Sequence, residues 1–437
     1  MLGPETVMTS EPGTLEKHQQ TGMLSVLRNR NFARLFYAGA TSTAGFAIGQ
    51  VALTWIVWTK TSSSLDVAYI GVSFIVAAVV FSLAAGALVD RHERRRLMVL
   101  SDLVRAGTLA ALVAFLLIIG FSIPAILLVA FLLGSFTTLF QPAERALTPE
   151  VVGSEQLASA NALVQTSNSV IQFASNTAGA GIIALTGVIA AFGLNTMTFL
   201  ISASLIAGIV GFSGPKLPSQ DGKAERRPSM VEDIREGFGY IGRNRALLEL
   251  TLSAGIGNFF LAMVFQFFVV YASAVLGGGV LVYGAISGLF ALGWAPGAFM
   301  SARFSTVRYA GVIWIVVGVL EGACILGLVA VPFLIPALAL AFTMGLFLGL
   351  TNTTWLTAVQ LIVPTEMQGR YFGLDQLGSF AVIPVGQVLG GVIIAASGVG
   401  LDFVIAGIGT AAGSGLFIFS PHLRNLGWKS PGVHAAN

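Results

Sequence analysis

Twelve stretches of this chain stay apolar for about 20 residues or more, the length at which a helix crosses the roughly 30 Å hydrocarbon core of a bilayer. They lie near 35–58, 67–89, 97–119, 123–147, 158–185, 188–212, 247–271, 282–303, 311–331, 335–362, 371–396 and 403–419. The expected fold class is therefore an all-α membrane protein of twelve transmembrane helices. Composition agrees: with 55% hydrophobic and 10% charged residues, the 437-residue chain has too few ionic side chains to coat a water-exposed surface.

Charge gives the orientation. Of 23 Lys and Arg residues, only Lys60 falls towards the opposite side; the others lie in the tails, in the loops on the side of the termini, or, as Arg105, Arg145 and Arg303 do, towards that end of a span. Short cytosolic loops carry such an excess, so an even number of spans and the Arg28, Arg30 and Arg34 cluster put both ends in the cytosol. The net charge of +3 then reports topology, and no nucleic-acid partner is expected. Residues 1–26 are polar and lack the apolar core of a cleaved signal peptide, so they read as a disordered cytosolic tail. The remaining divisions are a six-helix bundle over 27–212, a cytosolic linker with a short helix over 213–245, a second bundle over 246–420, and a tail over 421–437.

The two bundles echo each other. Arg28-Asn29-Arg30 recurs as Arg243-Asn244-Arg245, Gly86-Ala87 before Arg91 recurs as Gly297-Ala298 before Arg303, and Pro149-Glu150 recurs as Pro364-Thr365-Glu366. A near-constant spacing points to a duplicated six-helix unit, and since six is even the copies run the same way across the membrane. That is the parallel-repeat plan of alternating-access carriers.

Cys324 is the single cysteine, and His18, His92, His422 and His434 lie in tails or a loop. Neither a disulfide nor a metal site is expected. Gly407-Ile408-Gly409-Thr410-Ala411-Ala412-Gly413 imitates a dinucleotide loop but lies inside an apolar span with no strand before it. Without a Walker loop, a zinc-binding His-Glu pair or a serine elbow, the chain reads as no enzyme and needs no cofactor, so any work it does draws on a gradient.

Gly86-Ala87-Leu88-Val89-Asp90-Arg91-His92-Glu93-Arg94-Arg95-Arg96 resembles the loop between helices 2 and 3 of the major facilitator superfamily, Gly-x-Leu-Ala-Asp-Arg-x-Gly-Arg-Lys-Arg. Arg28-Asn29-Arg30-Asn31-Phe32 and Ser101-Asp102-Leu103-Val104-Arg105-Ala106 are similar to the prokaryotic branch that holds the enterobactin exporter and macrolide or multidrug efflux carriers. This implies two pseudo-symmetric six-helix repeats in a prokaryotic cytoplasmic membrane, exporting a hydrophobic or amphiphilic organic solute such as a drug or siderophore in exchange for protons, as a monomer among membrane lipids. Import or facilitated passage of a small nutrient, lipid flipping, and a non-transporting receptor or scaffold remain open. The sequence departs from the pattern at Glu93, which replaces the loop's second glycine, and in helix 4, which lacks the antiporters' Arg-Gly pair. Helix 5 carries Asn176-Thr177-Ala178-Gly179-Ala180-Gly181 where antiporters have Gly-Pro-x-x-Gly-Gly, while Pro384 to Gly391 in helix 11 comes close to it. The resemblance therefore supplies no proton-coupling residue at those places.

Three groups of site residues are expected. A gate is implied at Gly86 and Asp90, where the Asp90 carboxylate would meet the N-terminus of helix 11 when the halves close on the cytosolic side. Arg91, Arg94 and Arg145 near Glu144 or Asp102 would support it, or would merely meet lipid headgroups. By analogy, helices 1, 4, 7 and 10, with 2, 5, 8 and 11 beside them, line the path. The substrate cavity would hold Gln50, Thr138, Gln141, Asn168, Gln172, Asn258, Gln266, Asn352 and Gln387, neutral groups suited to an organic solute, though many could be helix-to-helix hydrogen bonds. Phe259, Phe260, Met263, Phe265, Phe267 and Phe268 around Asn258 would suit a bulky ligand or face lipid. Proton-coupling candidates are Glu321, about 15 Å deep in helix 9 by helical rise, then Asp375 and Asp102, which also read as helix-end anchors. The glycine pairs Gly284 and Gly288, Gly293 and Gly297, Gly345 and Gly349, and Gly386 and Gly390 point to close packing rather than binding.

Overall fold

The computed structural model describes residues 23–424 except 154–155, 211–241, 243, 305–309, 365–366, 368–370, 372–374 and 376–377. The expected tails and linker fall almost wholly outside the described residues. The long helices are α1 (Arg30–Thr61), α2 (Ser64–Arg91), α3 (Arg94–Ile118), α4 (Ile123–Val152), α5 (Leu157–Thr186) and α6 (Val188–Ala207), then α7 (Arg245–Phe265), α8 (Val280–Phe304), α9 (Ala310–Ala330), α10 (Leu334–Ile362), α11 (Ile383–Ser397) and α12 (Val399–Gly415). Past Phe265, α7 is continued by a short helix, Phe268–Val270, and a π-helical turn, Tyr271–Val275.

Local chemistry explains the repeat. The duplicated Arg-Asn-Arg places the same N-cap on both halves: Asn29 Oδ1 accepts from the backbone N–H groups of Asn31 and Phe32 at the start of α1, and Asn244 Oδ1 accepts from Leu247 N–H at the start of α7. The joint between the last two helices of each half is a single glycine. Gly187 (φ 84°, ψ 171°) joins α5 to α6, and Gly398 (φ 84°, ψ 164°) joins α11 to α12, a conformation that a side chain would strain.

Packing repeats as well. In the first half α1 lies on α5 and α6, α2 on α4, and α3 on α4 and α6. In the second half α7 lies on α11 and α12, α8 on α10, and α9 on α10 and α12. Each of these contacts recurs six helices later. The halves join through α2 on α11 and α5 on α8, which the same shift interconverts. The paired glycines serve packing: Gly293 and Gly297 of α8 face the carbonyls of Phe342 and Leu346 on α10, while Gly345 and Gly349 of α10 face those of Phe290 and Trp294. Backbones this close leave no space for a Cβ.

Eleven of the described helices are long and apolar enough to cross a membrane. The exception is α5, 30 residues long but carrying Asn168, Gln172 and Asn176. It tolerates them because it packs between α1 and α8 beside the seam of the two halves rather than standing in lipid. Outward, the helices show large apolar side chains such as Leu128, Ile201, Phe299 and Ile408, all exposed, a surface that only lipid tails cover favourably.

Candidate functional site

At the end of the molecule where α1 passes into α2, the halves are in contact. Ser64 Oγ donates to Gly391 O (2.7 Å) and Gln266 Nε2 donates to Val67 O (2.7 Å), tying α2 to α11 and α7. Gln387 is buried beside Gln266, with its Nε2 3.5 Å from Gln266 Oε1. A Cβ on Gly391 would meet Ser64 O at 3.2 Å. Across the second contact Asn176 Nδ2 donates to Ser287 O (3.3 Å) on α8, and a Cβ on Gly288 would meet Thr177 Oγ1 at 2.7 Å. These contacts close the seam at that end.

Towards the opposite, arginine-rich end the polar side chains stand open. Gln141 of α4, Gln172 of α5 and Asn352 of α10 are exposed, as are Gln165 and Asn161 of α5, while Gln50 and Asn168 are half-buried. An amide facing hydrocarbon loses its hydrogen bonds, so exposed amides clustered on seam helices mark a wet cleft. Gln165 and Asn161 were absent from the expected set, although the amide stripe on α5 could have shown them. Thr138 spends its hydroxyl on Gly134 O of its own helix (2.9 Å).

Apart from Thr138, the expected cavity residues, eight in all, thus divide among three places. Gln266 and Gln387 hold the closed end, Gln50, Gln141, Asn168 and Gln172 lie along the seam helices, and Asn258 and Asn352 line a separate cavity of about 110 Å³ inside the second half. This cavity also gathers Glu321 of α9 and Asp375, which are thereby brought together although 54 positions apart in sequence (375 − 321). Both are buried, at 4% and 3% exposure. Asn258 Nδ2 donates to Ser379 O (3.0 Å), and Ser379 Oγ donates to Asp375 Oδ1 (3.0 Å). Glu321 Oε1 has no partner. The aromatic run of α7 packs inward: Met263, Phe267 and Phe268 are buried, and the Phe265 ring is 4.5 Å from Phe290.

In the first half, Asp102 and Arg105 of α3 form a buried ion pair. The Arg105 guanidinium lies 4.8 Å from the Phe140 ring and 4.4 Å from the Phe199 ring. Asp102 therefore sits two turns inside α3 with a counter-charge and does not anchor the helix end. The sequence reading missed Arg105, although the Asp-x-x-Arg spacing that aligns two charges on one helix face was there to find it. Glu144 of α4 borders the same interior, since its carboxylate fills the space where Gly39 of α1 lacks a Cβ. In the loop region, Arg94 pairs with Glu150 and donates to Ala146 O (3.1 Å), leaving Glu144 to the interior, and Arg145 is exposed. Asp90 and Arg91 end α2, and Gly86 lies in it; the side chains of Asp90 and Arg91, and the surroundings of Gly86, lie outside the described residues.

Two like-folded halves, closed at one end of their seam and open with amides at the other, define a transporter of small molecules. The profile of the Major Facilitator Superfamily matches residues 32–387, and the chain belongs to that superfamily. It is 26% identical over 409 residues to the multidrug efflux pump Tap of Mycolicibacterium fortuitum, covering 90% of this chain and 96% of Tap. It is 27% identical over 223 residues to macrolide efflux protein A of Streptococcus pyogenes, covering 51% of this chain and 53% of that protein. A crystal structure of the nucleoside transporter NupG superposes with a TM-score of 0.72 at 11% identity, covering 89% of this chain and 99% of NupG, a likeness of fold. With its membrane-spanning helices and bacterial relatives, it is a plasma-membrane protein.

Proposed function

We propose that this transporter is a secondary carrier that exports a hydrophobic or amphiphilic organic solute by alternating access, in exchange for protons. The supporting observation is the asymmetric seam: Ser64, Val67, Gln266 and Gly391 close one end, while Gln141, Gln172 and Asn352 stay exposed towards the other. With the arginine-rich loops in the cytosol, the seam is open inward, the state in which an exporter loads its cargo. The neutral amides along the seam suit an organic solute better than a bare inorganic ion, and full-length likeness to a multidrug efflux pump agrees with export.

Asp90 is the inner gate in this reading, with Arg94 and Arg145 around it. Glu321, Asp375 and Asp102 are the groups through which protons couple, Glu321 foremost, because an acid so deep is costly to keep charged without a partner. Counterflow in proteoliposomes, screened against drugs, siderophores, lipids and amino acids with and without a pH gradient, tests the function. Outward movement of an amphiphilic solute that a pH gradient drives is the expected result; movement of no amphiphile, or concentrative uptake of a nutrient alone, overturns it.

A further inference from the structure

The cavity inside the second half has a chemistry of its own. Among the described residues its lining includes two carboxyl groups, Glu321 and Asp375, and no basic side chain. Asp375 has Ser379 as a partner, but Glu321 Oε1 has none, and neither has the Oγ1 of Thr410, which is 2% exposed and lines the same cavity. In an apolar bundle an unpartnered carboxyl group either keeps a proton or meets a cation. Three aromatic side chains, Trp314, Trp355 and Phe380, complete the wall, and such rings favour an organic cation over a hydrated metal ion. An engineered cavity of about 150 Å³ admits benzene, so about 110 Å³ admits a head group of roughly four or five heavy atoms. Asn352 and Phe380 are the exposed members of the lining, which places the mouth between them.

We propose that this cavity binds the ammonium head of an organic cation, with the Glu321 carboxylate as counter-ion and Asp375, Thr410 and the indoles around it. The inference deepens the export reading by naming the solute's chemistry: a cationic amphiphile whose head enters the cavity from the seam while its apolar remainder stays outside. Among the described residues no group of three acidic, histidine or cysteine side chains could hold a metal ion, and the organic cation is the occupant the lining fits.

The test uses the full-length protein in lipid nanodiscs and choline as the probe. Its control is the neutral alcohol in which carbon replaces choline's quaternary nitrogen. Calorimetry is expected to show saturable binding of choline and a raised melting temperature, with the carbon analogue giving neither. Glu321→Gln, of nearly the same size, is expected to keep the unliganded melting temperature and to bind choline about tenfold more weakly or worse, as loss of a charge-assisted contact implies. Should that variant fail to fold, comparison of choline, its analogue and sodium chloride on the unaltered protein still decides. Equal binding of choline and its analogue, protection by sodium equal to that by choline, or full choline affinity in Glu321→Gln overturns the proposal. Glu321-dependent choline binding with no exported solute would leave this site standing and remove the export reading; export of an amphiphile without choline binding would do the reverse.

Discussion

An arginine at 2% exposure inside a membrane bundle needs a counter-charge and polarisable walls, and Arg105 has both in Asp102, Phe140 and Phe199. Taking one member from a buried pair leaves the other unpaired, at a cost of about 3 to 5 kcal/mol. Asp102→Asn should therefore lower the melting temperature sharply, and Arg105→Met in the same chain should recover most of the loss, because the pair's own desolvation is then relieved. An Asp102→Asn variant as stable as the parent would show the pair to be structurally idle. At this scale the sequence was unevenly legible. Asn29 and Asn244 were visible as a repeated motif because caps act locally, and the structure makes both of them caps. For Arg105 only the i,i+3 spacing from Asp102 was local and readable; its burial was not, because that depends on rings from α4 and α6 that no local pattern brings near. Glu321 was legible as an acid at depth, but its meeting with Asp375 comes only from the packing of α9 inside the bundle.

Among elements, long apolar spans declare themselves through hydropathy, and the even spacing of the repeat fixes their pairing. Less legible was how α7 ends: its apolar run continues past Phe265, yet the helix breaks and re-forms as a π turn at Tyr271–Val275, a change that composition does not record. Glycine at helix contacts was legible as packing, and the structure separates two uses. Those between α8 and α10 lie within one half and serve stability. Gly284 and Gly288 lie across the seam, where a Cβ on Gly284 would meet Asn176 O at 2.8 Å. Gly345→Leu should thus destabilise the protein, by about 1 to 3 kcal/mol as overpacking does, with no preference between transport states. Gly284→Leu should instead wedge the seam open at its closed end and shift the population towards the other state. Distances between spin labels on Lys60 and Leu281 positions, both exposed near that end, would lengthen in Gly284→Leu and stay as in the parent in Gly345→Leu. A lengthening in both would assign the two glycine sets the same role.

For the whole molecule, the structure is one of the two arrangements that the proposed alternating access requires, and the gate proposed at Asp90 belongs to the other. A contact made only when the arginine-rich end is shut cannot stabilise the conformation seen here, so its loss should deepen the existing bias instead of reversing it. Cys324 is the single cysteine, and Cys324→Ser therefore gives a background in which Gln141→Cys, exposed in the open cleft, reports its accessibility to an impermeant thiol reagent. In vesicles that present the arginine-rich face to the reagent, labelling at position 141 is expected to be rapid, and to become faster still with Asp90→Asn as the transport rate falls. Vesicles of the opposite orientation should label slowly, because Ser64, Val67, Gln266 and Gly391 seal that approach. Equal labelling from both faces would contradict a seam closed at one end. Unchanged labelling together with an unchanged transport rate in Asp90→Asn would instead leave the seam intact and remove Asp90 from the gate, making the loop's charge a matter of topology alone.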